Sequence, residues 1–445
     1  MMRKMRIVWI MAVMMLAIQA QAQKHEFTAA QSADYAKQNN VQVKNALLQI
    51  KIQQQINRGI TAAALPQLTG SGNVTDNLKI ATQLLPGEFL GQPAGTFIPV
   101  QFGTKYTANG GFALNQLLFD GQVFIGLQAR KTSIDLQQKT VEVTEESIRE
   151  NIYKIYYQLV VGRTQVALID SNIERANKLL HDTKEIYKNG FAEKLDIDKL
   201  EVQLANLQTQ KLKVNSSIDV GYVGLKVLMG MPVKDTLVLT EEITDEKLKD
   251  NLLQASEYQY TDRKDYQLLE LNRKLREFNV RRYKLAYIPT LSFTGNYSYS
   301  AQRSSFDFFK RSGTWFPSTF VALNLRFSIF EGFARAANVQ QAKLELQQVQ
   351  NTMDNQKIEI DGDVQQARLN YATAIATIDN QKKNMALAEE VYRQTKKKYE
   401  IGTGSNTEIT AAQTDLVAAQ TNYTSALYDA IIAKIDYMVA TGKLR

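Results

Sequence analysis

The residues Tyr399-Glu400-Ile401-Gly402-Thr403-Gly404-Ser405-Asn406 form the bend between two predicted helices, within a segment that spans residues 361–442. Before the bend, apolar or small residues recur with alternating spacings of three and four, which is typical of a helix that packs along its whole length against another helix. These positions are Ile360, Val364, Ala367, Tyr371, Ala374, Ile378, Met385, Ala388, Tyr392 and Tyr399. We call this row of positions the seam of the helix. After the bend, a second seam runs through Ile409, Ala412, Leu416, Ala419 and Tyr423. Because Gly402 and Gly404 supply the chain reversal, the stretch predicts a long antiparallel helical hairpin.

The same hairpin pattern occurs 212 residues earlier in the chain. Tyr187-Lys188-Asn189-Gly190 aligns with Tyr399-Glu400-Ile401-Gly402, and at the same offset Leu204 falls on Leu416 and Gly230 on Gly442. The helix before this earlier turn has its own seam, formed by Ile148, Ile152, Ile155, Leu159, Gly162, Val166, Ile169, Ile173, Ala176, Leu180, Thr183 and Tyr187. A shared seam and a shared turn at one offset predict an internal duplication.

Each copy also carries two predicted strands ahead of its long helix. The four strands alternate apolar or small residues with polar ones near residues 68–74, 106–114, 290–300 and 321–329. The connections 76–105 and 301–318 are predicted to be exposed loops. Residues 121–188 contain no proline and predict a helix of roughly 100 Å, at about 1.5 Å per residue. A return helix is predicted over 195–229, and a second long helix is expected to begin at Ile329-Phe330-Glu331-Gly332.

The composition narrows the classes of function. The chain has 445 residues, no cysteine and only two histidines, His25 and His181. Disulfides, a thiol nucleophile, a zinc site and a histidine triad are therefore not expected, and neither is a cofactor. The net charge of +8 comes from basic residues interleaved with acids, which argues against nucleic-acid binding. No nucleophile, base and orienting group come together in the sequence, so we do not expect an enzyme.

The first residues have the pattern of a secretory signal. Arg3, Lys4 and Arg6 precede an apolar run over 7–18, and Ala20-Gln21-Ala22 follows. We therefore predict a signal peptide over 1–22, a first repeat over 23–240 and a second repeat over 241–445.

The predicted strands are suited to a membrane. Each has about ten residues and one apolar face, enough to cross a bilayer when the strand is tilted. Four strands cannot close a barrel with a useful lumen, and an open sheet edge in lipid leaves backbone groups without partners. Several protomers would therefore share one barrel. An ordinary antiparallel sheet that packs on a soluble core remains open, because periodicity alone does not distinguish the two.

With its signal peptide, its two copies of strand, strand, helix and helix, and its Tyr-x-x-Gly turns, the chain resembles the TolC-type outer-membrane efflux proteins over essentially its whole mature length. The most specific marks are Leu65-Pro66-x-Leu68 with Ile288-Pro289-x-Leu291, Leu118-Phe119-Asp120-Gly121 with Ile329-Phe330-Glu331-Gly332, and Tyr399-x-x-Gly402 with Glu408. The resemblance implies an α+β membrane protein in which a long α-helical coiled-coil barrel continues a trimeric transmembrane β-barrel. Each protomer would contribute four strands and two internal repeats. It also implies a homotrimer in outer-membrane lipid that extends into the periplasm and meets an adaptor protein and an inner-membrane pump.

The resemblance implies functional residues as well. The periplasmic mouth of the family is narrowed by acids after the Tyr-x-x-Gly turn, which selects Glu408 here, with Asp196 and Asp198 in the first copy. The turns themselves, with Asn189, Gly190, Gly402 and Thr403, would contact the adaptor. The alternative for Glu408 and Asp196 is a structural role, because acids near a helix N-terminus are stabilised by the helix dipole.

The implied function is the channel-tunnel of a tripartite efflux or type I secretion system, a passive duct for small molecules or proteins. A trimeric coiled-coil surface adhesin or a structural envelope protein is the alternative, although the internal duplication argues against an adhesin. A periplasmic adaptor would need a lipoyl-like or β-barrel run of strands, which the sequence does not contain.

Overall fold

The computed structural model describes residues 24–243, 248–249, 258–310 and 313–444. The predicted signal peptide over 1–22 lies outside these residues. The chain folds as two compact units. The first contains the described parts of Met1–Gln49, Gln137–Glu270 and Thr352–Arg445, and the second contains the described parts of Ile50–Leu136 and Leu271–Asn351. Each unit therefore draws residues from both predicted repeats.

Seven helices and eight strands are described. The helices are α1 (Ala29–Asn39), α2 (Val41–Ala62), α3 (Gly121–Lys188), α4 (Lys194–Met229), α5 (Lys264–Leu285), α6 (Ala334–Glu400) and α7 (Asn406–Ala440). The strands are β1 (Lys24–Phe27), β2 (Gln67–Asp76), β3 (Thr82–Pro86), β4 (Phe97–Gln101), β5 (Tyr106–Phe119), β6 (Thr236–Leu239), β7 (Thr290–Arg303) and β8 (Phe316–Arg326). Within the described ranges, no helix combines the length and the apolarity that a bilayer crossing requires.

The core of the first unit lies along the predicted seams. Ile360, Tyr371, Ile409 and Leu416 are almost completely buried, as the spacing of three and four residues predicts. The ring of Tyr371 stacks on the ring of Tyr437 with centroids 6.0 Å apart. The positions 212 residues apart that close the two hairpins, Gly230 and Gly442, both adopt positive φ. This equivalence supports the internal duplication, which remains a prediction.

A short parallel ladder in the first unit was not predicted from the sequence. Strand β1 pairs with β6 in the register Lys24 with Thr236 to Phe27 with Leu239. The buried Tyr156 connects to this ladder, because its hydroxyl donates a hydrogen bond of 2.9 Å to the carbonyl oxygen of Phe27. Four residues are too few to show a periodicity, so the pairing becomes visible only in three dimensions.

The second unit is built around one antiparallel sheet in the order β2-β5-β7-β8. Its register aligns the apolar or small positions of all four strands on one face, as the row formed by Leu68, Leu114, Gly295 and Val321 shows. Every residue of β2 is exposed on both faces, and β8 is nearly as exposed. The alternative of a sheet packed on a soluble core is therefore wrong for these two edge strands.

Three sequence predictions in the second unit need correction. The connection 76–105, predicted to be an exposed loop, contains regular structure, because β3 and β4 pair within it as a hairpin. The fourth strand begins at Phe316 and ends at Arg326, earlier than the predicted 321–329. The second long helix begins at Ala334 and not directly after Gly332, because Gly332 and Phe333 have φ of 58° and 67°.

The two strand-to-helix junctions differ for a local reason. The Asp120 carboxylate accepts hydrogen bonds from the backbone N–H groups of Gln122 and Val123, at 2.7 and 3.4 Å, so α3 starts at once. In the corresponding motif, the longer Glu331 side chain pairs with Arg335 at 2.9 and 3.0 Å. It does not cap the helix, and the chain turns through left-handed residues first.

Candidate functional site

The two helical hairpins of the first unit end in turns of the same construction. Gly190 and Gly402 have φ of 80° and 78°, a conformation that side-chain-bearing residues rarely adopt. In the second turn, the N–H of Gly402 donates to the carbonyl of Tyr399 and that of Thr403 to the carbonyl of Lys398, both at 3.0 Å. Gly190 and Phe191 make the same two bonds to Tyr187 and Ile186, at 2.9 and 3.1 Å. Both glycines therefore end a long helix in the αL conformation.

Both turns expose apolar side chains to solvent. Phe191 is 86% exposed in the first turn and Ile401 is 74% exposed in the second, and the predicted contact residues Asn189 and Thr403 are exposed beside them. A Cβ added to either turn glycine would meet no other atom within 4 Å. The glycines are therefore required by the backbone conformation and not by a crowded neighbour, and the turn surface is open to a partner.

The predicted mouth acids Asp196 and Glu408 lie at the third position of α4 and α7. The Glu408 N–H donates to the Ser405 hydroxyl at 3.1 Å, and the Ser405 N–H donates back to the Glu408 carboxylate at 3.5 Å. Asp196 accepts the equivalent bond from the N–H of Glu193 at 3.3 Å. These reciprocal bonds are capping boxes, so the structural role considered for both acids is present. Asp198 lies two residues further on and is exposed.

Near the turns, the two hairpins are joined by a buried apolar cluster. It contains Leu179, Leu180, Leu200, Tyr392, Ile409, Ala412 and Leu416. Polar links cross the same region. The hydroxyls of Thr183 and Tyr399 are 3.0 Å apart, and the buried amide of Asn172 donates to Gln420 at 2.6 Å. Arg175 approaches Glu389 at 3.6 Å and lies over the ring of Tyr392. The cluster therefore keeps the two hairpins packed together near their turns.

Sequence reasoning found the positions of Thr183 and Tyr399 but not their hydrogen bond. Both residues belong to the seams that predict buried helix faces, so their hydroxyls need partners inside the contact. The seam pattern of one helix does not contain its register against the other. A hydroxyl at a seam position therefore indicates that a buried hydrogen bond is needed, but it does not identify the partner.

The two turns carry different charge. In the second, Arg393 pairs with Glu390 at 2.6 Å and Lys396 lies 3.7 Å from Glu400, and bases outnumber acids by four to three over residues 390–408. Hydrogen bonds from Arg393 and then from Gln394 lower the pKa of Glu390 to about 2, so this carboxylate is ionised at any physiological pH. Around the first turn, acids outnumber bases over residues 182–201. A partner that binds both turns would meet a small excess of acids at the first turn and a small excess of bases at the second.

The sheet of the second unit supplies the other functional surface. One face carries Leu68, Phe112, Tyr297, Val321, Leu323 and Leu325, all strongly exposed. The opposite face carries the polar residues Thr69, Asn109, Asn115, Asn296, Ser298 and Asn324, together with Phe316 and Phe320 of β8. A continuous apolar face opposite a mainly polar one is the pattern of strands that separate lipid from an aqueous interior. Among the described residues, no group of His, Asp and Glu could hold a metal ion.

Comparison with known proteins agrees with this geometry. Residues 261–443 match the family model described as outer membrane efflux protein. The proteases secretion protein PrtF of Dickeya chrysanthemi is 19% identical over 335 residues, which cover 74% of this chain and 72% of PrtF.

Solved structures show the same fold. CusC, whose crystal structures concern folding and transmembrane channel formation, superposes with a TM-score of 0.76 at 16% identity, covering 93% of this chain and 92% of CusC. The outer membrane protein VceC of Vibrio cholerae gives 0.74 at 14% identity, with coverage of 93% and 96%. The Campylobacter jejuni CmeC outer membrane channel gives 0.73 at 17% identity, with coverage of 93% and 85%.

Proposed function

We propose that the chain, which matches the outer membrane efflux protein family over residues 261–443, is a TolC-type protein of the outer membrane that extends into the periplasm, and that three copies of it form one export duct. The observation that carries the proposal is the open sheet. β2 and β8 are its terminal strands, so each has one edge without a strand partner in the described part of the chain. In lipid such edges must be paired, and four strands are too few to close on themselves.

The sheet order is compatible with closure between copies. Neighbouring strands in β2-β5-β7-β8 are all antiparallel, so β2 and β8 run in opposite directions. β8 of one copy can therefore pair antiparallel with β2 of the next, and three copies would give a continuous twelve-stranded barrel of the kind that encloses a lumen. The apolar faces would then contact lipid and the polar faces would line the duct.

The mass of the protein in mild detergent tests this proposal. We expect three chains in each particle, and planar bilayers containing those particles should show ion conductance. A stable, well-folded monomer, or a trimer that never conducts, would contradict the proposal.

The duct would be passive, with transport driven by an inner-membrane pump. The family model is described as outer membrane efflux protein, and the name of PrtF refers to protease secretion. Both small molecules and proteins are therefore candidate cargoes. Cells that lack this chain should distinguish them, because loss of efflux raises intracellular dye accumulation and loss of secretion removes an exported protein from the medium. If neither changed, the export function would be wrong. The family match to efflux proteins favours export over the adhesin alternative.

We further propose that the two turns contact the periplasmic adaptor through Asn189, Gly190, Gly402 and Thr403. Support comes from the exposed Phe191 and Ile401 and from the open space around both glycines. Gly190→Phe and Gly402→Phe should abolish export while the trimer remains in the membrane. Gly224→Phe and Gly362→Phe are matched controls, since these helical glycines also have open space but ordinary φ. Normal export in both turn variants would contradict the contact.

Glu408, with Asp196 and Asp198, is proposed to narrow the mouth of the duct. In a trimer, each acid occurs three times around the axis, and like charges around a narrow opening attract cations. Capping does not compete with this role, because the carboxylate in a capping box keeps its negative charge.

A further inference from the structure

The β3–β4 hairpin of the second unit has an apolar face that nothing in the described chain covers. Leu84 and Pro99 are opposite each other in the register, and Pro86 is opposite Phe97 on the same face. Leu84 is 65% exposed and Phe97 is 62% exposed, and Phe89 in the connecting turn is 79% exposed. β3 and β4 form a sheet of their own. The other face of the hairpin, with Leu85 and Ile98, is half-buried, and an exposed apolar face on a two-stranded hairpin is stabilised when a partner surface covers it.

The topology of the large sheet shows where such a surface lies. The hairpin joins the end of β2 at Asp76 to the start of β5 at Tyr106. The connection from Arg303 to Phe316 joins β7 to β8. Because all the pairs are antiparallel, both connections lie at the same end of the sheet. The two connections lie near opposite edges of the sheet, however. The β3–β4 hairpin lies near the edge formed by β2, and the β7–β8 connection lies near the edge formed by β8.

The β7–β8 connection presents a fixed aromatic surface. Phe306 packs edge-on against Tyr106 and Phe308, with centroids 5.7 Å apart in both pairs. The Arg303 guanidinium holds the segment by donating to the carbonyl of Thr314 at 2.6 Å. Phe309 remains 90% exposed. The side of the connection that carries Phe306 is therefore occupied within the same chain, while Phe309 is left exposed.

We infer that the apolar face of the β3–β4 hairpin binds the exposed Phe309 in the β7–β8 connection of the neighbouring copy. The inference rests on the proposed trimer, in which β2 of one copy pairs with β8 of the next. That pairing brings the hairpin and the partner copy's β7–β8 connection to the same end of adjacent strands. With strands about 4.8 Å apart, the two connections are centred roughly 10 Å from each other, which is the reach of packed aromatic side chains. A second copy therefore covers the hairpin and ties the barrel together at this rim.

Disulfide trapping tests the contact directly, because the natural chain has no cysteine. The pair Leu84→Cys with Phe309→Cys should give dimers and trimers on mild oxidation, visible on non-reducing denaturing gels. Gln83→Cys with Phe309→Cys is the matched control, since Gln83 neighbours Leu84 but projects from the opposite face of the hairpin. We expect at least a tenfold excess of linked chains for the Leu84 pair.

The mass of each preparation in mild detergent separates the possible failures. A monomeric preparation would contradict the proposed trimer itself. A trimer in which the Leu84 pair links no better than the Gln83 pair, or links only within one chain, would overturn the hairpin contact and leave the duct intact. As a second measurement, Phe97→Ser should lower the temperature at which the trimer dissociates in detergent, and Gln83→Ser should not. Equal dissociation temperatures would also count against the contact.

Discussion

Thr183 and Tyr399 show what a hydroxyl does inside a helix seam. Thr183 is fully buried, and its hydroxyl lies 3.0 Å from that of Tyr399 on the other hairpin. A buried hydroxyl without a partner costs about 1–3 kcal/mol, which is more than the net gain of one hydrogen bond. This pair therefore helps to select the register in which the two hairpins pack, in addition to stabilising the packed state.

The first prediction concerns this pair. Tyr399→Phe should lower the free energy of unfolding by about 1–3 kcal/mol, because it leaves the Thr183 hydroxyl without its partner. The double variant with Thr183→Val should be more stable than the sum of the single effects implies, with a coupling of about 0.5–1.5 kcal/mol. Denaturant unfolding in detergent measures both. Thr209→Val on the exposed face of α4 is the control, and strict additivity would contradict the link.

Glu146 gives a pH-dependent prediction. Burial is the main cause that raises its pKa above the ordinary value of 4.5, and it outweighs the lowering by Lys264, which lies 3.7 Å away. A raised carboxyl pKa means that ionisation weakens the folded state. The resulting stability is fully present below pH 4.5 and is lost as the pH rises through the folded pKa.

We therefore expect Glu146→Gln to raise the melting temperature at pH 7, because the neutral amide avoids the burial of charge. At pH 4 the difference from the natural chain should disappear, since Glu146 is then largely protonated. Melting curves in detergent at the two pH values test this. Glu142→Gln on the same helix, where the carboxylate is more exposed, is the control. A gain that persists at pH 4 would assign the effect to packing instead.

At the scale of the elements, the helix termini combine structural and electrostatic roles. Glu408 caps α7 through Ser405 and is also the first acid after the turn. Gln can replace Glu in a capping box, so Glu408→Gln removes the charge and keeps the cap, whereas Glu408→Ala removes both. The two substitutions therefore distinguish the roles.

We expect Glu408→Gln to reduce cation preference in single-channel recordings without loosening the turn. Glu408→Ala should have the same electrical effect and should also speed amide exchange in the first turn of α7, since loss of a cap costs about 0.5–2 kcal/mol. The control is Asp415→Asn, which removes an exposed acid two turns further along α7. Unchanged selectivity in Glu408→Gln, alone and with Asp196→Asn, would leave both acids with capping roles only.

The elements also show how far the sequence predicts this fold. The bounds of α3 follow from the helical periodicity and from the absence of proline over that length. The two glycine turns follow from the αL conformation that ends each long helix. All of these signals are local in the sequence. The β1–β6 ladder and the β3–β4 hairpin are too short for a periodic signal. The delayed start of α6 depends on whether Glu331 caps the helix or pairs with Arg335, and the sequence motif does not show which of the two contacts the carboxylate makes. The Thr183–Tyr399 bond required the register between two hairpins.

At the scale of the whole molecule, the four-stranded sheet is the part that one chain alone does not cover or close. A soluble sheet covers its apolar face with another layer, but the residues of β2 and β8 are exposed on both sides. The apolar row is continuous across four strands, and the polar row faces the other way. Lipid on one side and water on the other stabilise such a sheet, provided that its edges are paired by other copies.

The last prediction uses two neighbouring residues of β8 that project from opposite faces of the sheet. Leu323 is opposite Phe293 on the apolar face, and Ala322 is opposite Thr294 on the polar face. Arginine on the lipid side near mid-membrane costs about 2–4 kcal/mol per chain, and a trimer carries it three times. Leu323→Arg should therefore sharply reduce the trimer recovered from outer-membrane fractions. Ala322→Arg should assemble normally and lower cation conductance, because the added charge lies beside the aqueous path. Equal recovery of the two variants would mean that the apolar face does not contact lipid.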